Sequence, residues 1–534
     1  MGSGGSHDQG LVRRAASSTV AGLFRGQAAM HPDRIAIRDG ARSVSYGELD
    51  RRTGQLAAAL LARGVERGDR VAILSENRPE VLEVYLAAAR VGAIAACQSW
   101  RLAGPELAHC LRITEPRALI ASARHAGALV GAVESSPSLA AAAGPPIVLG
   151  GDYERVLAAA SPGAALDAAE EAVDPEDPLL LLYTSGTTGL PKGAVLSHRA
   201  EVTRNLVVRA EFGIAPRDTF VAWSPLYHMG AAEPALGALM TGGDVITVDG
   251  FDADRLADIV AAEQLGWLLL MPGMVGRFAA VLAARGVVPR GIKVCGVMAD
   301  LVPPQEIAQV TALLAAPYAN TFGATETGCP PCSSSLLPIG VAPARLSKQQ
   351  SPFCQVRLVD ADDREVPDGA PGELCMRGPT LFSGYWREPE VNQRDFRGGW
   401  FHMGDVFVRN PDGTLDFVDR VKYLIKSGGE NVYPAEIERV LMQDARVAEA
   451  AVVRAPDPVW GETPVAFVAR RDPSLGEDDL LRLCRAQLAG YKQPRRICFL
   501  ALDEFPRSAS GKVQRHQLEA RLTGDGAPPR RGSP

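Results

Sequence analysis

LLYTSGTTGLPKGAVLSH spans Leu181 to His198, and the reading of the whole chain turns on it. An apolar entry (Leu181, Leu182, Tyr183) opens into Thr184, Ser185, Gly186, Thr187, Thr188 and Gly189, and a single cation, Lys192, follows. A buried strand that runs into glycines and hydroxyls presents backbone N–H and O–H donors to an anion, and a lysine adds charge. The loop is therefore expected to cradle a polyanion. It is not a Gly-Lys-Ser/Thr phosphate loop, because Lys192 stands between Pro191 and Gly193.

Outward from this loop, the pattern is strand, helix, strand. Ser45-Tyr46-Gly47-Glu48 reads as a capping box that opens a helix, with Leu49, Leu56, Leu60 and Leu61 at helical spacing up to Gly64. Arg70–Leu74 and Arg117–Ala121 read as short buried strands, and Pro79–Gly92 as a helix with proline in its first turn. The rhythm resumes with a strand at Val245–Val248, a helix at Asp252–Glu263 and a strand at Gly266–Pro272. This is the pattern of a mostly parallel sheet covered by helices. From Pro352 apolar and polar residues alternate around Asp-Asp and Asp-Gly turns, which predicts antiparallel hairpins. After Asp419 the texture returns to mixed α/β, with helices near Pro434–Asp444 and Glu477–Leu488. The Ala-rich stretch 156–172 is read as a surface connection.

At 534 residues the chain exceeds one ordinary domain. Its net charge of −6 excludes a general nucleic-acid binder, so an anionic substrate must be met by a local site. Nine cysteines without regular spacing argue for a reducing, cytoplasmic setting. The close pair Cys329 and Cys332 has no ligand-spaced partners and is read as pocket-wall or loop thiols, with no tightly bound metal expected. No run reaches the length of a membrane span. Gly2–Ser6 formally fits a myristoylation pattern but consists of linker residues, so residues 1–12 are read as a flexible leader and 523–534 as a disordered tail.

Four further stretches complete the motif set. Tyr318–Gly328 (YANTFGATETG) places Thr325-Glu326 after an aromatic-glycine turn, and GWFHMGD ends on Asp405. DFVDRVKYLIKSGGENVYPAEIE carries Arg420, Lys422 and Lys426, and PRSASGKVQR holds Lys512. In this order, from Ala21 to Leu522, the stretches resemble the acyl-adenylate-forming superfamily, in its acyl- and aryl-CoA ligase branch.

The resemblance implies an α/β fold. It has a large multi-subdomain N-terminal domain (residues 13–420) of mixed and parallel sheets covered by helices, with a small β-barrel-like part. A small mobile α+β C-terminal lid (421–522) would follow, hinged near Lys422. It implies ATP, Mg²⁺ and CoA as substrates and cofactors: a carboxylic acid becomes an acyl-adenylate with release of pyrophosphate, and the lid then turns so that CoA takes the acyl group and AMP leaves. Thr184, Ser185, Gly186, Thr187, Thr188, Gly189 and Lys192 would hold the β- and γ-phosphates. Thr325 would bind the α-phosphate and Glu326 the magnesium, a hard cation that takes carboxylate and phosphate oxygens together. Asn320, Thr321, Phe322 and Gly323 would line the nucleotide, with Phe322 on adenine, and Asp405 and Arg420 would bind the ribose hydroxyls. Lys512 would be the catalytic lysine of adenylation. Lys426, with Ser427, Gly428 and Gly429, would serve the thioester step at the CoA side. His228 would guard the acyl pocket, and Tyr227, Met229, Gly230, Met271, Met298, Asn320 and Cys329 would line it.

Two stretches depart from the family pattern. Gly296–Pro304 replaces the usual small residues with a bulkier run that includes Met298, and Pro343–Asp360 carries Arg345 and Lys348 where most members have a glycine-rich turn. The apolar pocket set suggests a bulky hydrophobic or cyclic acid, in degradation or secondary metabolism. Alternatives carried forward are a member with unequal half-reactions that chiefly thioesterifies a supplied acyl-adenylate, a stand-alone adenylation enzyme loading a carrier protein, an oxygen-using luciferase relative, and a nucleotide-binding regulator without chemistry. The partners are a small carboxylic acid or its adenylate and CoA, with neither nucleic acid nor a membrane span; a homodimer is left open.

Overall fold

A computed structural model describes residues 12, 15–185, 190–427, 430–507 and 513–523. The leader 1–12 and tail 523–534 therefore lie outside the described residues, apart from Val12 and Thr523. The chain divides into two compact units, Met1–Gln355 with Arg377–Phe396, and Val356–Met376 with Arg397–Pro534. The fold is α/β, with a large N-terminal domain of mixed sheets and helices and a smaller C-terminal domain.

In the first unit the central sheet has six strands in the order Ile147–Val148, Ala118–Ala121, Arg70–Leu74, Ile94–Gln98, Pro178–Ser185 and Pro191–Ser197. The first five are parallel and the last is antiparallel. Both faces are covered, which is why these strands read as continuous apolar runs: Ile94–Gln98 and Ala118–Ala121 are buried at every position. The helix Pro79–Val91 is buried along its length, and Gly92 ends it at φ 67°, a left-handed cap that glycine adopts without strain. Only the serine half of the expected capping box forms: Ser45 accepts from the Glu48 N–H at 3.2 Å and starts the helix Tyr46–Ala62, while the Glu48 carboxylate takes Arg51 at 2.7 Å. Charged side chains inside this layer are paired. Arg52 bridges Glu83 at 2.7 Å, and Tyr153 donates to the same carboxylate at 2.7 Å.

Two four-stranded sheets also belong to this unit. Ile35–Asp39 joins Val245–Thr247 and Phe220–Ala222 in parallel, with Arg42–Ser45 antiparallel at the edge. Gln264–Leu268, Gly291–Cys295 and Tyr318–Ala319 run parallel, with Leu336–Leu337 antiparallel. The strand expected at Gly266–Pro272 thus starts earlier and stops at Leu268. The Leu269 carbonyl accepts from the Trp223 indole at 2.8 Å instead of continuing the ladder.

The Ala-rich stretch is not a surface connection. It forms the helices Gly151–Ala159 and Ala164–Ala172, which place Tyr153, Leu157 and Leu166 in the main core. Alanine is a good helix former, and one leucine per helix suffices to seat each on the layer beneath.

The second unit contains a four-stranded sheet ordered Gln355–Val359, Pro371–Arg377, Phe401–Arg409 and Leu415–Arg420. Its last three strands pair antiparallel, as the alternation predicts. A five-stranded sheet is built around Val447–Asp457 and Gly461–Arg470, with the helices Pro434–Leu441 and Glu477–Gln487 contributing to its core.

Candidate active site

The strands Pro178–Ser185 and Pro191–Ser197 flank the glycine-hydroxyl stretch in sequence, and their register sets Thr184 opposite Lys192 and Ser185 opposite Pro191. Gly186, Thr187, Thr188 and Gly189 lie outside the described residues, as does the Ser185 side chain. What the structure fixes is the frame. Gly193 packs against Leu181, and a Cβ there would stand 2.7 Å from Leu181 Cδ2, so any larger residue would require the leucine to move.

A segment that sequence reasoning passed over completes the frame. Residues 383–386 run beside Pro191–Ser197, with Ser383 N–H donating to Val195 O at 2.7 Å, Val195 N–H to Gly384 O at 3.0 Å and Trp386 N–H to Gly193 O at 2.8 Å. This places Tyr385 over the site. Its hydroxyl donates to Glu326 Oε1 at 2.7 Å, and Lys192 Nζ lies 5.6 Å from the centre of its ring. Burial first, and then the Glu326 charge, push the phenol far above its ordinary range, so it is a permanent hydrogen donor. Phe382 packs edge-on to the ring at 4.9 Å, and its N–H donates to the Glu326 carbonyl at 2.9 Å. The only sequence signal for Tyr385 was an aromatic pair after Ser-Gly in SGYW.

Thr325 and Glu326 sit in the turn between the strands Phe322–Ala324 and Gly328–Cys332. That turn is tight. Thr327 Oγ1 accepts from the Ala324 N–H at 3.0 Å, and a Cβ on Gly323 would stand 1.9 Å from the Gly328 carbonyl. Beneath it Arg204, only 1% exposed, donates to Thr380 O at 2.8 Å and pairs with Glu233 at 2.5 Å. Glu201, on the same helix as Arg204, is buried beside this pair, and burial with the Glu233 charge pushes its carboxyl well above the usual range. The structure thus brings Thr184, Lys192, Thr325 and Glu326 to one frame. Asn320 behaves differently: its side chain turns to the 346–348 segment, with Nδ2 donating to Leu346 O and Ser347 O at 3.1 Å each.

The expected acyl-pocket residues Tyr227, His228, Met229, Gly230, Met271, Met298 and Cys329 are all half-buried. His228 caps the helix Met229–Met240, its Nδ1 accepting from the Gly230 N–H at 3.1 Å. Gly230 approaches Leu269, against whose cluster Met271 and Cys329 pack. Tyr227 stands edge-on to Trp100 at 6.3 Å. Met298 holds a left-handed backbone at φ 50°, which disfavours side chains other than glycine. Cys332, the other half of the close pair, is fully buried, and all nine cysteines are free thiols.

In the second unit Asp405 and Arg420 face each other across the strands Phe401–Arg409 and Leu415–Arg420, and Arg420 Nε lies 2.9 Å from Asp405 Oδ1. Asp419 accepts from the N–H of Arg420 and of Ala435, at 2.7 Å each, which ties this strand to the next helix. Lys422 lies in the turn Val421–Tyr423, its Nζ 4.9 Å from the Tyr423 ring. Lys426 is exposed on the strand Ile425–Ser427, and Ser427 is buried. Gly428, Gly429 and Lys512 lie outside the described residues; a bridge between Arg507 and Val513 brackets the Lys512 loop.

The family model for AMP-binding enzyme matches residues 24–386, and that for AMP-binding enzyme C-terminal domain matches residues 436–512. The chain belongs to the AMP-binding enzyme family. A feruloyl-CoA synthase from Amycolatopsis sp is 35% identical over 508 residues, covering 93% of this chain and 97% of that protein. An indoleacetate–CoA ligase from Aromatoleum aromaticum is 34% identical over 505 residues, again covering 93% and 97%. The crystal structure of ATP-bound MatB from Rhodopseudomonas palustris superposes with a TM-score of 0.79 at 27% identity, covering 95% of this chain and 100% of that one. This AMP-binding enzyme is an AMP-forming acid–thiol ligase, using ATP, a carboxylic acid and CoA.

Proposed function

We propose that this ligase activates a carboxylic acid bearing an aromatic ring, and that the residues named above divide the work between two half-reactions. The observation that carries the reading is the Lys192–Tyr385–Glu326 group set against the glycine-hydroxyl hairpin. An ammonium and a carboxylate held by one protonated phenol suit a phosphate chain together with a hard cation, and they have no evident use elsewhere. Support for an aromatic acid comes from the half-buried set Tyr227, Met271, Met298 and Cys329 and from the aryl acids in the names of both relatives.

In adenylation, Thr184 and Lys192 with the glycine loop take the phosphates that leave as pyrophosphate. Thr325 meets the α-phosphate, and Glu326, oriented by Tyr385, supplies the carboxylate oxygen for Mg²⁺. Lys512 stabilises charge as the carboxylate oxygen bonds to the α-phosphorus and the bond to pyrophosphate breaks. Asp405 and Arg420 hold the ribose. In thioester formation the lid, hinged at Lys422, presents Lys426 and the Ser427–Gly429 segment, and His228 borders the thiol's path. Domain alternation of this kind lets two lysines act in one pocket at different times. We place the reaction in the cytoplasm, where ATP and a reduced thiol coexist; among the described residues no helix is long and apolar enough to cross a membrane.

The test is a panel of phenylpropenoic, arylacetic, benzoic and straight-chain acids, each with ATP and Mg²⁺, with and without CoA, read as pyrophosphate and acyl-CoA. Aryl acids should lead by at least tenfold in kcat/KM. A preference for straight-chain acids would overturn the substrate class, and acyl-CoA formed only from supplied adenylates would overturn the adenylating role.

A further inference from the structure

The two stretches that depart from the family pattern touch each other. Lys348 has no exposed surface, although Arg345 and Gln349 around it are exposed. Its Nζ lies 2.6 Å from Asp300 Oδ2 and 2.6 Å from Asn320 Oδ1. Asp300 stands on the turn Ala299–Leu301, entered through the left-handed Met298. Asn320 returns both amide hydrogens to the Lys348 segment, at Leu346 O and Ser347 O, while its own N–H donates to Ser335 O at 2.9 Å. One ammonium therefore joins the acyl wall at 298–301, the loop at 346–348 and the start of the Asn320–Gly323 stretch.

Burying an ammonium is costly unless its donors are met, and Asp300 supplies the compensating charge. Charge balance alone does not need Asn320. The second bond does something else: with Oδ1 accepting from Lys348 and Nδ2 donating twice, the Asn320 amide has a single allowed orientation, because a flip would aim its NH₂ at the ammonium. Asn320 is followed directly by Thr321 and by Phe322, which opens the strand Phe322–Ala324.

We propose that Lys348 is a positioning residue for the nucleotide: anchored by Asp300, it fixes the Asn320 amide and so holds the Asn320–Gly323 stretch where the adenylate moiety binds. The inference rests on the assignment of that stretch to the nucleotide under the proposed function. A glycine at this position would have no side chain to do this, and here a lysine reaching in from the loop holds the amide.

The experiment is a calorimetric titration of AMP, and of Mg·ATP, into the full-length protein and three variants. K348M/D300L removes both charges together, so Asp300, whose side chain is 28% exposed, is not left without its partner, but it also leaves Asn320 Oδ1 without its donor. K348Q keeps two N–H donors for Asp300 and Asn320 while removing the charge. N320A leaves the ion pair and removes the amide. We expect AMP to bind at least tenfold more weakly to K348M/D300L and to N320A, and within threefold of the parent to K348Q. Parent-like affinity in K348M/D300L, or in N320A if the double variant does not fold, would reduce the pair to a structural brace and overturn the proposal. So would K348Q binding as weakly as the double variant. A parent protein that bound neither AMP nor Mg·ATP would overturn the nucleotide assignment itself, which is a distinct failure.

Discussion

Replacing Tyr385 with phenylalanine removes one oxygen and little else. The ring keeps its edge contact to Phe382 and its face toward Lys192. What disappears is the 2.7 Å hydrogen bond to Glu326 Oε1. A hydrogen bond to a charged group contributes about 1.5–3 kcal/mol. If that bond sets the carboxylate where Mg²⁺ and the phosphates meet, its loss falls on the transition state of adenylation, and kcat/KM for pyrophosphate formation should drop about 10- to 150-fold. The variant should also need more Mg²⁺ for half-maximal rate, because the carboxylate is no longer held in place. Transfer from a supplied acyl-adenylate to CoA involves no departing pyrophosphate and should change by less than about threefold. The assay is pyrophosphate release at several Mg²⁺ concentrations, with acyl-CoA formation from synthetic adenylate alongside. A Y385F enzyme with parental kcat/KM and an unchanged Mg²⁺ requirement would refute the role given to both residues. An equal loss in both half-reactions would point to general damage.

Three further outcomes follow from the described contacts. His198 is fully buried, accepts from the Val20 N–H at 3.2 Å, and is pushed down to about 4 by burial, against 6.5 for the free group. The unfolded chain therefore binds this proton first: stability is full above pH 6.5 and falls as pH drops toward 4, by about 3 kcal/mol in total. H198N, which keeps an acceptor for Val20, should flatten that slope in denaturant titrations at pH 7.5 and 5.0, and an unchanged slope would contradict the assignment. R204M leaves Glu233 buried and uncompensated beside Glu201 and should lower stability by about 3–5 kcal/mol, with R204M/E233Q recovering a large part; equal stability of the two variants would contradict it. G296A would push a methyl within 2.1 Å of the Tyr318 ring at a backbone φ of 74°, so it should yield far less soluble protein than G26A, whose added methyl meets nothing within 4 Å.

Much of this was legible in the sequence because the signals were local. The strand Arg70–Leu74, the helix from Tyr46 and the strand that enters the glycine-hydroxyl loop each announce themselves within a dozen residues, through burial period or a cap, whereas the antiparallel return strand Pro191–Ser197 does not. The misses share a different cause. Nothing near residue 156 says that Leu157 and Leu166 land in the main core; that depends on Glu170 meeting Arg90 at 2.5 Å and on the layer below. Tyr385 matters because residues 383–386 lie along a strand almost two hundred positions earlier. Lys348 stood out in the sequence only as a cation in place of a glycine-rich turn, and its burial depends on Asp300 and Asn320, each distant in sequence. Motif residues could be named from their own stretches, whereas the residues that hold them in place could not.

The most direct test of the central claim follows oxygen. With an acid from the accepted panel labelled with ¹⁸O in both carboxylate positions, the AMP released alongside acyl-CoA should carry one ¹⁸O, because the carboxylate oxygen that bonds to the α-phosphorus stays with it when the thiol takes the carbonyl carbon. Unlabelled AMP, or label emerging in a phosphate released with ADP, would mean that the acid is not activated as its adenylate, and the account of this site would fall.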